Sequence, residues 1–447
     1  MTLLDRGNIQ GFVLRGYGMP YASYLFVRFD DPDSGRRWLS DVTDDVITAA
    51  PWSVKPQSGI NLAFTFSGLA ALGVPSSSLG GFPQEFRDGM AARAAELGDT
   101  GASAPEKWEE PFGLGHDVHG MVMVSAQNSA ALEAHDASIR TRIDVYGGIT
   151  LLGAQIGASL ATEHEHFGFK DTISQPPLEG SGIRPLPGGG ALDGKGWRPI
   201  RAGEFILGYP DEEGVLPPAP TPDQLAANGT YLVYRKLYQD VAAYRRQVDA
   251  AAARFPGSRE LLEAKIMGRW PDGTPLPLAP DAPDDALADD RTRNNDFTFG
   301  DDPQGLVCPV GSHVRRANPR ASLPFGGVLV NRHRMIRRGI PYGDPLPEGA
   351  PDDGADRGLI WTSLHASIER QFEFVQSQWM NDGNPFGIGD DQDVVAGTQN
   401  GPHPRKMTVP GTPPFLVGDL TPVVVCRGGE YFFTPGINGL HYIAAIA

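Results

Sequence analysis

Short apolar runs, each followed by a segment with helical spacing, recur along the chain. Residues 24–29 (YLFVRF) are aromatic and β-branched, which predicts a buried strand. In residues 34–47 the apolar side chains fall on one helical face, as Trp38 and Val42 illustrate. The pattern therefore predicts a strand followed by a helix.

The same pattern returns in the second half of the chain. Residues 231–234 predict a strand, and Val241, Tyr244 and Val248 place apolar groups on one face of the helix after it. Further strand-then-helix units are residues 62–66 with 69–72, 121–125 with 130–139, and 359–363 with 368–379. This spacing predicts an α+β protein made of two related domains with antiparallel sheets.

A Pro-rich and acidic stretch separates the two halves. Residues 208–223 (GYPDEEGVLPPAPTPD) cannot continue a helix or a strand. A chain of 447 residues also exceeds what one hydrophobic core usually supports. We therefore predict an N-terminal domain over residues 1–210 and a C-terminal domain over residues 211–447.

Charge and cysteine content exclude several classes of protein. The formal net charge of -16 would repel a phosphate backbone, so we expect no nucleic-acid partner. Cys308 and Cys426 cannot form a disulfide framework, which favours a reducing compartment. The N-terminus lacks an apolar leader, and no stretch approaches about 18 uninterrupted apolar residues. We expect a cytoplasmic protein without a membrane partner, with export inside a complex as the alternative.

One histidine stands among small residues beside a basic cluster. Residues 308–320 read CPVGSHVRRANPR, and His313 could ligate a metal. A lone histidine is more often a hydrogen-bonded structural residue, so this segment alone leaves both interpretations open. Cys308 could in principle act as a thiolate ligand, although buried packing is the commoner role of such a cysteine.

Two further segments carry candidate catalytic groups. Asp171 lies in residues 165–176 (EHFGFKDTISQP), where aromatic neighbours predict a mostly apolar setting and hence a candidate acid or base. Residues 334–343 (RMIRRGIPYG) form a short apolar strand that ends in Arg337 and Arg338. We expect one of these arginines to point inward, with a solvated pair as the alternative.

Taken together, the three segments resemble the dye-decolorizing peroxidase family. The matching motifs are GFKD (168–171) for its GxxDG signature, SHVRRANPR (312–320) for its proximal-histidine segment and RRGIPYG (337–343) for its distal-arginine segment. Outside them, the resemblance extends to residues 8–11, 203–210 and 370–376, and so covers nearly the whole chain. One departure is Thr172, which replaces the second glycine of the signature and could alter peroxide access beside Asp171.

The resemblance implies two ferredoxin-like domains, with haem b (iron protoporphyrin IX) held mainly by the C-terminal one. His313 would be the metal ligand, occupying one axial position of the iron. A carboxylate commonly accepts a hydrogen bond from such a metal-binding imidazole. Asp393 is our candidate for this carboxylate near the cofactor. A solvated loop acid is the alternative for Asp393.

On the peroxide face, the resemblance implies that Asp171 moves a proton and that Arg337 stabilises the charge on the separating oxygen. Arg334 is the runner-up for the position of the arginine and a candidate cofactor contact. His166 is a candidate contact of a haem propionate or of the peroxide channel, with a structural hydrogen bond as the alternative.

The expected function is that of a haem peroxidase, which uses hydrogen peroxide to oxidise dyes, phenols and other aromatic donors. A haem carrier or iron-releasing haem-binding protein is the main alternative, because Thr172 departs from the signature. The second alternative is a structural α+β protein in which the three motifs serve only packing and match the family by coincidence. A homo-oligomer is compatible with the sequence, since surface pairing leaves little trace in one chain.

Overall fold

The structure is a computed structural model, and it describes residues 3–115, 117–161, 163–194, 196–398 and 405–446. Its strands, in chain order, are β1 (Tyr21–Phe29), β2 (Ser58–Phe64), β3 (Gly120–Ala126), β4 (Ile149–Ala158), β5 (Ala191–Leu192), β6 (Trp197–Arg198), β7 (Thr230–Gln239), β8 (Ile336–Arg337), β9 (Ile340–Tyr342), β10 (Gly358–His365), β11 (Arg405–Val409), β12 (Phe415–Leu420) and β13 (Val424–Thr434).

The α-helices are mostly short. They are α1 (Gly11–Leu14), α2 (Pro32–Thr43), α3 (Phe66–Ala71), α4 (Ser76–Leu79), α5 (Gln84–Asp88), α6 (Ala94–Leu97), α7 (Ser129–Tyr146), α8 (Asp223–Ala226), α9 (Val241–Ala252), α10 (Arg259–Met267), α11 (Asp285–Asp289), α12 (His313–Ala317) and α13 (Ile437–Ala444). None of the helices in the described residues is long and apolar enough to cross a bilayer.

One antiparallel sheet of nine strands organises the described part of the chain. Its strand order is β4-β1-β3-β2-β13-β7-β10-β8, and β9 pairs with β10 beside β8. The first four strands alternate with α2 and α7 and take the order fourth, first, third, second. The strands of the second half repeat that order, with β13 beside β7, then β10, then β8 and β9. The predicted pair of ferredoxin-like units is thereby confirmed.

The two units share one sheet and one aromatic core. Phe64 of β2 pairs with Phe433 of β13, and this contact joins the two halves of the sheet. On one face, the ring of Tyr234 lies 5.5 Å from that of Tyr24 and 5.2 Å from that of Phe26. Burying these large rings between β1 and β7 removes apolar surface of both units from water, which stabilises their association.

The outer strands of the sheet approach each other. β4 contacts β9, and a Cβ atom on Gly157 of β4 would lie 2.5 Å from the Cγ2 atom of Ile340. Glycine is therefore needed for this close approach. The sheet bends round toward a barrel and brings β9, together with the adjacent β8, against the N-terminal unit.

The helix predicted over residues 368–379 has a different geometry. Residues Ile368–Glu373 and Val375–Met380 form two π-helical segments, a form that is rare and often found at functional positions. Residues 159–229, between β4 and β7, form a largely irregular connection in the described part of the chain. A domain boundary after residue 210, inside this connection, stays our proposal.

Candidate active site

His313 is held by a buried carboxylate. It is the first residue of α12, and its Nδ1 lies 3.0 Å from Oδ2 of Asp393. The Asp393 side chain is fully buried, whereas that of His313 keeps 29% of its exposure. Among the described residues, Nε2 of His313 takes part in no hydrogen bond. The ring is thus fixed through one nitrogen and presents the other.

The electrostatics of the pair follow from burial and mutual attraction. Burial lowers the pKa of His313, but the charge of Asp393 and its hydrogen bond outweigh that effect and raise the pKa. Burial raises the pKa of Asp393, yet the charge of His313 and the hydrogen bonds to the carboxylate bring it down to about 2. Asp393 is therefore ionised and supports an imidazole that donates through Nδ1.

Backbone groups fix Asp393 in place. Its Oδ1 accepts from the amides of Val395 (2.9 Å) and Ala396 (2.6 Å), and its own amide donates to the carbonyl of Met380 (2.8 Å). Arg316 of α12 is fully buried and donates to the carbonyls of Trp379 and Asp391, both at 2.6 Å. The histidine helix and the carboxylate segment are thus both attached to the end of the second π-helical segment.

Arg337 ends β8 and is positioned by the segment after Asp171. Its Nη2 donates to the carbonyl of Ser174 at 2.6 Å, and its amide donates to Oε1 of Gln175 at 2.9 Å. The side chain keeps contact with solvent. Burial by the surrounding protein nevertheless lowers the pKa of Arg337, and the charge of Asp171 opposes that shift. The neighbouring Arg338 instead donates to the carbonyl of Phe12.

The mostly apolar setting expected for Asp171 is wrong. Asp171 is exposed, and its Oδ1 accepts from the amide of Thr172 at 2.6 Å. The error has a physical reason, because Phe167 and Phe169 turn into a separate apolar core and leave the carboxylate on the solvent side. Asp171 still lies near enough to Arg337 for its charge to act on the guanidinium.

The structure brings the two sides of the predicted site together. The charge of Arg337 acts on His313 and lowers its pKa, while burial and Asp393 have larger effects. Arg337 therefore lies within electrostatic range of both His313 and Asp171. Asp171 stands more than 140 residues before both His313 and Arg337 in the sequence. Only the fold can bring these residues near one another.

Arg334 lies deeper than Arg337 and borders a cleft. Its Nη2 donates to the carbonyl of Gly189 at 2.7 Å. Burial, followed by repulsion from Arg337, lowers the pKa of Arg334 to about 10. The adjacent cleft is also lined by Arg320, Asn331 and Trp197. Two guanidinium groups with no lining carboxylate make this cleft suitable for an anionic group.

His166 lies apart from the peroxide-face groups. It is buried, and its Nε2 lies 2.9 Å from the carbonyl oxygen of Tyr342. Burial lowers the pKa of His166, so the ring is neutral at pH 7. This contact is a structural hydrogen bond, and the predicted contact of His166 with a haem propionate or the peroxide channel stays a prediction. None of the contacts of His166 in the described part of the chain joins it to Arg337 or Asp171.

Sequence reasoning missed Glu165. Its carboxylate accepts from the amides of Phe167 and Phe169, both at 3.0 Å, and from Nε2 of Gln239 at 2.7 Å. Burial raises its pKa, and its charge in turn raises the pKa of His313. Glu165 is therefore a second acid on the Asp171 loop. Its place directly before His166 in EHFGF was the available signal.

His313 would hold the iron of a haem through Nε2, and Asp171 and Arg337, which lie within electrostatic range of each other, would act on peroxide. This set of groups suits a haem peroxidase. Residues 8–159 match the family described as the DyP dimeric alpha+beta barrel domain. A dye-decolorizing peroxidase of Mycena epipterygia is 30% identical over 99% of this chain and 87% of its own length. The chain belongs to the dye-decolorizing peroxidase family, and it is a peroxidase.

Solved structures agree over the full length. An ancestral D-type dye-decolorizing peroxidase has a TM-score of 0.87 and 28% identity, covering 100% of both chains. A dye-decolorizing peroxidase in complex with 2,6-dimethoxyphenol has a TM-score of 0.83 and 29% identity, covering 99% of this chain and 100% of the other. By contrast, the deferrochelatase of Yersinia pestis is 31% identical over only 18% of this chain. The full-length relatives therefore favour the peroxidase over the haem carrier.

Family membership implies haem, and the residues present fit that group. The anchoring of Nδ1 by Asp393 leaves Nε2 of His313 to bind iron. Arg334 and Arg320 border a cleft that lacks a lining carboxylate, which suits the carboxylate groups of a porphyrin. Cys308 does not compete as a ligand, because burial raises the pKa of its thiol and its sulfur contacts Ser312 at 3.3 Å.

Proposed function

We propose that the protein uses haem b, bound through Nε2 of His313, with Asp393 holding the imidazole and Arg334 contacting the cofactor from the cleft side. The observation that carries this assignment is the hydrogen bond of 3.0 Å between His313 and the buried Asp393. Haem bound in this way supplies the oxidising equivalents that peroxide delivers. Electron donation from a carboxylate-bound imidazole favours the oxidised iron.

The chain contributes proton transfer and charge stabilisation on the other face. Asp171 would accept one proton of hydrogen peroxide and return it to the oxygen that departs as water, and bound haem would supply the two electrons that cleavage of the O–O bond requires. Arg337 stabilises the negative charge that develops during the separation, and its guanidinium is fixed by the carbonyl of Ser174. His166 stays a candidate contact of a haem propionate or of the peroxide channel.

The reducing substrates that we propose are dyes, phenols and similar aromatic donors, each of which gives up one electron at a time. Support comes from the relative bound to 2,6-dimethoxyphenol and from the full-length similarity to dye-decolorizing peroxidases. Free, buried Cys308 and Cys426 support a cytoplasmic location. A homo-oligomer stays a prediction that sedimentation of the purified protein will test.

Rapid mixing of the haem-loaded protein with hydrogen peroxide tests the proposal. We expect Arg337→Leu and Asp171→Asn to slow the peroxide reaction by about 10²–10³-fold while the haem stays bound. Arg338→Gln is the matched control, because this neighbouring arginine faces Phe12 and its loss leaves the peroxide rate unchanged. His313→Ala should abolish retention of haem. Unchanged peroxide rates in both distal variants would refute the assigned roles.

A further inference from the structure

A buried tyrosine is hydrogen-bonded to a buried carboxylate away from the active site. The hydroxyl of Tyr431, in β13, donates to Oε1 of Glu373 at 2.9 Å. The Tyr431 side chain is 1% exposed, and Glu373 is 4% exposed. Arg93 holds the same carboxylate with two hydrogen bonds, of 2.9 and 2.7 Å. Tyr431 thus has a fixed proton acceptor inside the protein.

Three other buried tyrosines lack such an acceptor, and the buried Tyr342 donates to the exposed carboxylate of Asp356 at 3.3 Å. The hydroxyl groups of Tyr231, Tyr234 and Tyr244 have no hydrogen-bond partner among the residues that the structure describes. One-electron oxidation of a phenol makes its proton strongly acidic, so a buried phenol can be oxidised readily only where a nearby base accepts the proton. Tyr431 differs from all four of these tyrosines in donating to a carboxylate that is itself buried.

Tyr431 lies in the same row of the sheet as Arg337. In the antiparallel register, Arg337 of β8 faces Ser363 of β10, Ser363 faces Val233 of β7, and Val233 faces Tyr431 of β13. Directly facing residues project to the same side of a sheet, so both side chains share one face. Three strand spacings of about 4.8 Å separate the two backbones by roughly 14 Å.

Aromatic rings connect Tyr431 with a partly exposed tryptophan on that face. The ring of Phe372 lies 6.2 Å from that of Tyr431 and 5.3 Å from that of Trp361. Trp361 stands two residues before Ser363 in β10, and so it shares the face as well. The row therefore runs from the peroxide face to Tyr431, with Trp361 placed toward solvent.

We propose that Tyr431 is an internal redox site, which passes oxidising equivalents from the peroxide-oxidised protein to aromatic donors that are too large for the active site. Tyr431 gives one electron to the oxidised cofactor, its O–H bond breaks, and Glu373 Oε1 receives the proton. A neutral phenoxyl radical remains until a donor at the surface returns one electron and Glu373 returns the proton. The inference rests on the proposed haem-dependent function.

Freeze-quench electron paramagnetic resonance of the haem-loaded enzyme after mixing with hydrogen peroxide tests this proposal. The unmodified protein should give a tyrosyl radical signal, and Tyr431→Phe should lower its yield at least threefold. Tyr231→Phe is the matched control, because this buried tyrosine lies on the same face of β7 without an acceptor. Its signal should equal that of the unmodified protein.

Glu373→Gln keeps a hydrogen-bond acceptor but cannot take the proton as a carboxylate does. It should lower the radical yield to a similar extent. The spectral change of haem on adding peroxide should be the same in all variants, and a failure there would count against the peroxide chemistry rather than against Tyr431. An unchanged tyrosyl signal in Tyr431→Phe would overturn the proposal.

High-field resonance of the unmodified protein gives a readout that needs no variant. A radical oxygen hydrogen-bonded by protonated Glu373 has a lower first g value than one without a donor, and exchange into D2O should alter its couplings. A tyrosyl spectrum typical of an oxygen without a hydrogen-bond donor would also overturn the proposal.

Discussion

At the scale of single residues, Thr172 combines a departure from the family signature with an unfavourable backbone. Its φ angle is +62°, in the left-handed region where a β-branched side chain crowds the backbone. The amide held in this conformation donates to Oδ1 of Asp171 at 2.6 Å. The strained backbone therefore helps to orient the proposed catalytic carboxylate.

We expect Thr172→Gly to raise the free energy of unfolding by about 1 kcal/mol, because glycine adopts positive φ without strain and the gain exceeds its larger entropy loss on folding. Denaturant unfolding measures the change. Thr141→Gly, at an exposed position inside α7, is the control and should lower stability by a few tenths of a kcal/mol. A loss of stability in Thr172→Gly would show that contacts of the Thr172 hydroxyl stabilise the fold by more than the backbone strain destabilises it.

The chemical role of a residue could be predicted from the sequence only where the residue stands inside a recognisable motif. His313 and Arg337 stand inside short, recognisable segments, and the charge of Arg337 acts on His313. The pairing of Tyr431 with Glu373 joins residues 58 positions apart through one hydroxyl. No local pattern marks that contact, because a glutamate in a helical segment ordinarily indicates a solvated face.

At the scale of elements, the strand-then-helix pattern was a good guide where burial is nearly complete. β1 and β7 were predicted because apolar residues run through them almost without interruption. β4 and β13 were not predicted. β4 has many half-exposed positions, and β13 contains Gly428 and Gly429 at a bulge, so neither shows the expected alternation.

The π-helical form of residues 368–380 also could not be read from apolar spacing, since it depends on which carbonyl groups accept hydrogen bonds. At its end, the carbonyl groups of Trp379 and Met380 accept from Arg316 and from the amide of Asp393. The segment thereby connects α12, which carries His313, with the carboxylate that holds His313.

We expect Arg316→Ala to lower the free energy of unfolding by about 3 kcal/mol, because buried carbonyl groups lose their donors. The iron reduction potential of the haem-loaded protein should shift as well, since Asp393 would no longer be held against His313. Arg291→Ala, at an exposed position, is the control and should change neither quantity. Destabilisation without any shift of the potential would mean that Arg316 serves the fold and not the histidine.

At the scale of the whole molecule, the sequence pattern indicated two related units but not how they join. The junction depends on the pairing of β2 with β13 and on the approach of β4 to β9. Both contacts form between elements that are distant in the chain. Hydrophobic periodicity specifies which face of a strand is buried, not which strand becomes its neighbour.

The irregular connection between the units is attached by buried charges. Glu204 is fully buried and accepts from Nη2 of Arg370 at 2.7 Å, while Asp211 lies 3.3 Å from both Arg370 and Arg332. Burial raises the pKa of Glu204 to about 7, although Arg370 opposes the shift. A raised carboxyl pKa stabilises the fold below the unfolded value near 4.5, and that contribution is lost as the pH rises through about 7.

Arg370→Met removes the principal cation beside Glu204, so the pKa of this carboxyl should rise further and the protein should lose stability more steeply between pH 5 and pH 8. We expect a cost of about 2 kcal/mol at pH 8 and a smaller one at pH 5, where Glu204 can hold a proton. Denaturant unfolding at the two pH values gives both numbers. Adding Glu204→Gln should restore most of the loss and flatten the pH dependence, because no charge then remains to be buried. If the double variant were as unstable at pH 8 as Arg370→Met alone, the loss would come from packing of the arginine stem, and the connection would be held by apolar contacts instead.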